Sequence, residues 1–312
     1  MAIIISNTTQ FTSGTIEGLK LFFYSVLPGL FPFMLLTKLL TEIGFIFKIS
    51  KRLDKVSRFL FGTPGVSFYA FFMSVVSGYP IGAKIISDLF EKQLINESDA
   101  KKMSVFCTTS GPIFVIGTVG SIMFKSQKIG LLLYTSHIAS SVLFGIVFNL
   151  LYKNNNSNHN CNHINFKQNT PSNILSNAIS NTINSLFIVG AYITIFYLVG
   201  EILSTLNIVD FASNILLKFS HGFGITKNTA DGLVFGLLEV TRGTKILSLS
   251  PTTQNIMFAS GILSFSGISI ITQSMAFLKT AKIKTHFFIF IKSVHLLLSM
   301  FCCGLLIFIC GI

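Results

Sequence analysis

Charged residues are scarce in this chain of 312 residues, and their scarcity excludes an ordinary soluble domain. Asp, Glu, Lys and Arg together make up 11% of the sequence, whereas a soluble domain carries about 25%. Hydrophobic residues make up 51%, and the mean hydropathy is +0.70. The sequence therefore predicts an all-α polytopic membrane protein.

Patterns that would indicate an enzyme are also missing. We find no nucleotide-binding glycine loop, no metal-ligand cluster in the apolar stretches and no plausible Ser-His-Asp set, so we expect neither an enzyme nor a bound cofactor. A coupling proton or sodium ion is left open. The five cysteines suggest no disulfide framework, and four of them lie in apolar runs. The fifth, Cys161 between His159 and His163, stands in an Asn-rich stretch whose spacing fits no standard zinc site.

The charge-free runs are long enough for the roughly 20 residues that cross a bilayer. They are Phe59–Ala83, Met103–Phe124, Ile129–Tyr152, Ile174–Gly200, Ile246–Leu278 and Ser293–Ile312. The start of the chain has no basic segment followed by a cleavage site, so no removable signal peptide is expected.

The net charge of +12 is explained better by membrane topology than by nucleic acid, which we do not expect as a partner. Basic residues sit in short loops between apolar runs, and cytoplasmic loops carry the excess of them. If both termini are outside, the segments inside carry thirteen basic residues and the loops outside carry five. The thirteen are Lys48, Lys51, Arg52, Lys55, Arg58, Lys92, Lys101, Lys102, Lys153, Lys167, Lys279, Lys282 and Lys284, and the five are Lys20, Lys125, Lys128, Lys218 and Lys227. We therefore predict that both termini face the outside.

Two stretches of the chain resemble each other. SGYPIGAK at 77–84 and TTSGPIFVIG at 108–117 correspond to LEVTRGTK at 238–245 and LSFSGISIIT at 263–272. Paired breaks in corresponding membrane segments point to the substrate site of a transporter. The alternative is kinked packing helices with chance glycines. We divide the chain into a first repeat (1–152), an Asn-rich linker (153–172) and a second repeat (173–312).

Each repeat is predicted to contain three spanning helices, an interfacial helix and a re-entrant hairpin. The predicted spans are Thr15–Leu40 (bent near Pro28 and Pro32), Met103–Phe124, Ile129–Tyr152, Ile174–Gly200, Ile256–Leu278 and Phe287–Ile309. The interfacial helices are placed at 48–62 and 206–223, and the second hairpin at 233–247. Val66–Ser77 covers only about 18 Å against a core of roughly 30 Å, so it must turn back at mid-depth. Since three spans are an odd number, the two repeats are expected to be inverted.

The hairpin tips carry the charged residues of the predicted site. Arg242, Lys84 and Lys245 with the acid Glu239 would suit a small anion, because charges in the hydrocarbon region usually face a cavity and have a partner. The alternatives are that both lysines extend to the interface and that Arg242 and Glu239 form a structural pair. Lys38 and Glu42, at i and i+4, are expected to pair peripherally.

Polar groups and unwound backbone at the breaks complete the predicted substrate site. These residues are Ser77, Gly78, Tyr79, Pro80, Gly82, Thr109, Ser110, Gly111, Thr241, Gly243, Ser266, Gly267 and Gln273, with Thr108 beside them. The serines could instead bond back to their own helices. His137 and His295 fall at near-equivalent positions and could relay protons or make ordinary helix–helix hydrogen bonds.

The motifs LPGLFPFMLLTKLL, GTPGV, SGYPIGAK and TTSGPIFVIG are similar to those of the sporulation integral membrane protein YlbJ family. That family belongs to the nucleoside-recognition Gate group, and the resemblance covers roughly residues 15–310. It implies a protein of the mother cell that moves dipicolinate across the outer forespore membrane to support maturation of the spore core and cortex.

Three hypotheses follow for the function. The first is a transporter of a small anionic solute, namely dipicolinate. The second is a transporter of a nucleoside or another neutral polar solute, and the third is a non-transporting scaffold for sporulation proteins. The expected partners are the anionic substrate and the lipid bilayer, while assembly into a homo-oligomer is left open.

Overall fold

The protein is helical throughout the part that the structure describes. It is a computed structural model, and it describes residues 8–43, 45–152, 171–220 and 224–310. The first half contains α1 (Thr8–Leu21), the π-helical turn π1 (Phe22–Val26), α2 (Leu27–Glu42), α3 (Phe45–Phe61), α4 (Val66–Ser77), α5 (Ile81–Glu91), α6 (Glu97–Phe106), the π-helix π2 (Ile113–Met123) and α7 (Gln127–Leu151). The second contains α8 (Pro171–Thr205), α9 (Ile208–Phe219), α10 (Lys227–Leu238), α11 (Val240–Ser248), α12 (Thr253–Phe265), α13 (Gly267–Leu278) and α14 (Thr285–Cys310).

The two halves repeat one order of elements. Each starts with a long helical segment (α1–α2 or α8), followed by a short helix (α3 or α9) and a helical hairpin (α4–α5 or α10–α11). A helix broken near its middle (α6–π2 or α12–α13) and a long last helix (α7 or α14) complete each half. Contacts between the halves follow the same correspondence, since α5 packs on α13 and α11 packs on π2. This order agrees with the predicted plan, while the opposite orientation of the halves in the membrane stays a prediction.

Four helices are long and apolar enough to cross a membrane. Within the described ranges they are Gln127–Leu151, Ile174–Thr205, Thr253–Leu278 and Thr285–Cys310, with a fifth if Ser50–Phe61 and Val66–Ser77 are one bent span. The corresponding four predicted spans and the polytopic class are confirmed. The other two predicted spans are interrupted, one by π1 and the other by the irregular segment 107–112.

The amphipathic helix α3 stands at a steep angle to the first hairpin. Ser50–Phe61 and Val66–Ser77 are bent by 84°, a geometry that fits either a broken span or a re-entrant segment. Asp54 fixes this corner, because its carboxylate accepts the backbone N–H of Gly65 at 2.9 Å and the Nε–H of Arg58 at 2.7 Å. The predicted interfacial position of this helix is consistent with that bend.

The halves meet along α7 and α14 through small and polar side chains. The rings of His137 and His295 stack with centroids 5.1 Å apart. Ser260 Oγ lies 3.0 Å from Ser136 Oγ and 2.7 Å from Ser299 Oγ. Small residues let membrane helices approach closely, and hydroxyl groups bond across the contact. A buried polar layer therefore joins the halves at the centre of the molecule.

Several predicted features fall outside the described residues. They include most of the Asn-rich linker, with Cys161 and its two neighbouring histidines, and the end of the predicted interfacial stretch at 221–223. Of the four cysteines in apolar runs, Cys107, Cys302 and Cys303 are buried free thiols, whereas Cys310 is exposed. Among the described residues, no group of three or more His, Cys, Asp or Glu side chains could hold a metal ion.

Candidate functional site

The tip of the first hairpin lies directly against the break of the first broken helix. Helix α4 ends at Ser77, and Gly78 to Pro80 form the tip before α5 begins. Gly78 has a φ of +82°, a conformation that glycine adopts readily. A Cβ at Gly78 would also meet the backbone nitrogen of Gly111. Only a glycine therefore allows this close approach.

The second hairpin repeats this arrangement around Glu239. This residue separates α10 from α11, and its carboxylate accepts the backbone N–H groups of Thr241 at 2.9 Å and Arg242 at 2.7 Å. It is thus the N-cap of α11. Gly267, at the second break, has a φ of +69°, and a Cβ there would lie 3.1 Å from the carbonyl oxygen of Leu238. In both halves, a hairpin tip touches the break of the following helix.

A cavity of about 230 Å³ lies between these tips and breaks. Eight of the predicted site residues line it: Ser77, Gly78, Tyr79, Ser110, Gly111, Glu239, Thr241 and Gln273. Helices α1, α2 and α8 add apolar and aromatic walls, which include Phe33 and Tyr197. The volume is below the roughly 300–1,000 Å³ of pockets for drug-sized ligands, so it suits a small solute.

The beginnings of three helices contribute to the cavity lining. Residues 113–114, 240–241 and 269–270 belong to the first turns of π2, α11 and α13. Helix N-termini expose backbone N–H groups and carry a partial positive charge. Glu239 caps α11, whereas π2, α13 and α5 begin without a side-chain cap. The uncapped starts of π2 and α13 therefore direct partial positive charge toward the cavity.

Two uncharged side chains in the cavity wall have hydrogen-bonding capacity to spare. Ser77 is 8% exposed, and its Oγ has no hydrogen-bond partner among the described residues. Gln273 is 4% exposed and donates one amide N–H to Ser269 Oγ at 3.3 Å. Buried polar groups are nearly always satisfied, so these two groups are suited to binding a polar solute.

The predicted cluster of three cations does not form. Lys84 Nζ is 3.1 Å from Asp88 Oδ1, one helical turn along α5, and it lies over the ring of Phe277 rather than in the cavity. Lys245 is exposed on α11 and does not line the cavity. Both lysines stand several residues beyond the tips, so their side chains point away from the breaks.

The predicted pair of Lys38 and Glu42 is also wrong. Lys38 Nζ is instead 3.1 Å from Asp88 Oδ2, and Glu42 Oε1 accepts from Lys92 Nζ at 3.0 Å. Contacts between α2 and α5 thus replace the expected pairing within one helix.

Arg242 also has a different partner from the one expected. Its backbone N–H bonds to Glu239, but its guanidinium pairs with Glu201 of α8 at 3.2 Å and covers the ring of Phe235. Glu201 lies 41 residues earlier in the chain, so sequence spacing gave no signal for this pair. Arg242 links the second hairpin to α8 beside the cavity and does not line it.

The remaining predicted site residues support the breaks without lining the cavity. Thr109 Oγ1 is 2.9 Å from Ser74 Oγ and ties the first break to the first hairpin. Pro80 starts α5, and Ser266 ends α12 with a φ of +78°. Gly82 packs against the carbonyl oxygen of Cys107, and Gly243 packs against the backbone of Gly236. A side chain at either glycine would collide with main-chain atoms.

His137, on α7, makes hydrogen bonds at the first break and next to the second. Its Nε2 accepts the backbone N–H of Ser110 at 2.9 Å, and its Nδ1 is 2.7 Å from Ser264 Oγ. An N–H group can only donate, so Nε2 is unprotonated and the proton resides on Nδ1. His137 therefore makes helix–helix hydrogen bonds, which is one of the two roles expected for it.

Lys292 is a residue of this region that the sequence analysis did not single out. It is 1% exposed, and its Nζ lies 2.8 Å from the Tyr79 hydroxyl and 2.7 Å from the carbonyl oxygen of Thr108. A lysine inside the predicted span Phe287–Ile309 was itself a signal, because ionisable residues within membrane helices usually have a function.

The fold and this central cavity define a multi-pass α-helical membrane protein. The sporulation integral membrane protein YlbJ of Bacillus subtilis (strain 168) is 26% identical over 306 residues, which cover 91% of this chain and 74% of that protein. This similarity confirms the predicted resemblance to the YlbJ family. No family model matches the chain, and no solved structure matches it. The Gate-group relationship stays a prediction.

Proposed function

We propose that this protein is a membrane transporter of a small anionic solute, and that the solute is dipicolinate. The observation that carries the proposal is the central cavity, which is lined by the beginnings of helices from both halves. Positive ends of half-helices bind anionic substrate groups in transporters built from broken helices. Lys292 adds a cationic head group one hydrogen bond behind the cavity wall.

The aromatic and polar groups in the cavity lining suit dipicolinate as a proposed substrate. It is a flat aromatic dianion, and the walls contribute Phe33, Phe114 and Tyr197 beside the polar groups of Ser77 and Gln273. The acid Glu239 also lines the cavity, but its two oxygens already accept backbone N–H groups of α11. Similarity to a sporulation integral membrane protein supports a site of action in the outer forespore membrane.

The direct test is dipicolinate flux through purified protein in proteoliposomes. We expect uptake that saturates with concentration and exceeds the leak of empty vesicles. A wild-type protein that moves no more dipicolinate than empty vesicles would contradict the proposal. A sporulating strain that lacks the protein should accumulate less dipicolinate in its spores.

Transport of a nucleoside or another neutral polar solute is favoured by a different observation. Ser77, Thr241 and Gln273 are uncharged hydrogen-bonding groups, and no cationic side chain is in the cavity lining that the structure describes. Labelled nucleosides that enter the vesicles and compete with dipicolinate would favour this alternative. A scaffold, in contrast, predicts that substitutions in exposed loops affect sporulation while substitutions in the cavity do not.

Ser77→Ala should weaken substrate binding without lowering stability. The Ser77 hydroxyl has no partner among the described residues, so its removal sacrifices no internal hydrogen bond. If it binds the solute, its loss costs about 0.5–1.5 kcal/mol, which raises KM by about twofold to tenfold. Dipicolinate uptake kinetics and thermal unfolding in detergent measure the two quantities.

Ser274→Ala is the matched control for this substitution. Ser274 is also buried and its Oγ also has no partner among the described residues, but it does not line the cavity. We expect an unchanged KM for Ser274→Ala. Equal KM values for both variants and the wild type would exclude Ser77 from the binding site.

A further inference from the structure

Lys292 occupies an unusual position for a charged residue. Its Nζ is buried on α14 between the rings of Tyr79 and Phe288, at 4.6 and 5.7 Å from their centroids. The Thr108 carbonyl oxygen can only accept, so Nζ donates one hydrogen bond to it. No carboxylate pairs with Lys292 among the residues that the structure describes. An isolated buried ammonium is costly, which favours a neutral amine while the cavity is empty.

The hydrogen bonds of Lys292 suit both of its protonation states. As a neutral amine, Nζ accepts a hydrogen bond from the Tyr79 hydroxyl and donates one to the carbonyl oxygen of Thr108. As an ammonium, Nζ donates to both oxygens, and the Tyr79 hydroxyl proton turns away from Nζ. A proton can therefore be gained or lost without breaking either contact.

The other titratable groups that face Lys292 are less suited to carrying a proton. They are Tyr79 on the hairpin tip, His137 on α7 and His295 one turn along α14, while the buried thiol of Cys107 contacts the Ser67 carbonyl oxygen. Protonation of His137 Nε2 would break its bond to the Ser110 N–H. His295 Nε2 contacts Ser140 Oγ at 3.0 Å, and its Nδ1 has no partner among the described residues, so it is the competing candidate.

Tyr79 connects Lys292 to the cavity. Its side chain lines the cavity on one side and bonds to Nζ on the other. An anion in the cavity supplies the negative charge that Lys292 otherwise lacks, and it therefore stabilises the ammonium form. Binding of the anion and binding of a proton should then favour each other, because such coupling is reciprocal.

We propose that Lys292 is a proton-binding site that is neutral when the cavity is empty and protonated when an anion occupies it, so that proton and anion cross the membrane together. The proton comes from water on the side of entry, adds to the lone pair of Nζ, and returns to water on the side of release. This inference rests on the proposed transport of an anion and adds its coupling ion.

The test uses dipicolinate uptake by the full-length protein in proteoliposomes under a pH difference of one unit. Potassium with valinomycin holds the membrane potential at zero, and sodium is equal on both sides. We expect dipicolinate to accumulate toward about tenfold on the alkaline side, the limit for one proton per solute. Equal pH should give equilibration only, and a sodium gradient alone should give no accumulation.

Substitutions test whether Lys292 is the residue that binds the proton. Lys292→Gln cannot titrate and Lys292→Arg stays charged, so both should reduce the accumulation ratio to about one. Lys292→Arg should still exchange labelled for unlabelled dipicolinate at equal pH. His295→Gln, and the exposed Lys218→Gln as a control, should keep the tenfold ratio.

The possible failures are distinguishable. No dipicolinate flux by the wild type overturns both the transport proposal and this inference. Flux that ignores the pH gradient, or follows a sodium gradient, overturns the proton inference alone. Full accumulation by Lys292→Gln, or its loss in His295→Gln only, places the proton elsewhere. If both Lys292 variants fail to fold, the wild-type response to the pH gradient still decides whether a proton is coupled.

Discussion

His137→Ala is expected to lower the free energy of unfolding by about 2–5 kcal/mol, since it leaves a cavity and two buried groups without a partner. The imidazole accepts the Ser110 N–H and bonds to Ser264, and all three residues are buried. It also stacks on His295 across the contact between the halves. Thermal unfolding in detergent should show a clearly lower midpoint.

Two further variants make this result specific. His137→Gln should recover part of the loss, because its amide oxygen can accept the Ser110 N–H. His286→Ala removes an exposed imidazole at the start of α14 and should leave the midpoint unchanged. A wild-type midpoint for His137→Ala would show that the break at Ser110 is held by other contacts.

The positions of the breaks could be predicted from the sequence. Ser77, Gly78 and Gly111 interrupt charge-free runs, and positive φ values at Gly78 and Gly267 explain why glycine is required there. The matched motifs also indicated that the hairpin and the broken helix of each half belong to one site. Positions with special backbone requirements can be recognised in a sequence, because few residue types satisfy them.

The side-chain partners of the charged residues were harder to predict. Lys84 and Asp88 stand at i and i+4, so their pairing was readable, but the expectation of a shared cationic site gave Lys84 a different role. The pair of Arg242 and Glu201 joins α11 to α8 and depends on tertiary packing. Sequence spacing carries no information about such contacts.

Lys292 lies between these two cases. Its place inside a predicted span marked it as unusual, but its partners Tyr79 and Thr108 are 213 and 184 residues away in the chain. Cationic side chains were predicted at the hairpin tips, but the lysine next to the cavity is on the last helix, α14, behind the first tip. The site therefore depends on one buried lysine and on helix N-termini rather than on three cations at the hairpin tips.

Tyr79→Phe is expected to lower dipicolinate flux by about 10–100-fold while the protein still folds. The substitution keeps the ring in the cavity wall but removes the hydroxyl that bonds to Lys292 Nζ at 2.8 Å. A hydrogen bond to a charged group contributes about 1.5–3 kcal/mol, which corresponds to that range of rates if the bond is needed in the loaded state. Initial uptake rates in proteoliposomes measure the effect.

Tyr134→Phe is the matched control, since it separates the link to Lys292 from general support of the hairpin. The Tyr134 hydroxyl donates to the carbonyl oxygen of Val75 at 2.9 Å, so its loss also removes one bond to the first hairpin. Tyr134 does not line the cavity, and we expect its variant to keep most of the wild-type flux. Equal losses of flux in the two variants would mean that each hydroxyl only stabilises the position of the first hairpin. A selective loss in Tyr79→Phe would instead mean that transport depends on the contact between the cavity wall and the buried lysine.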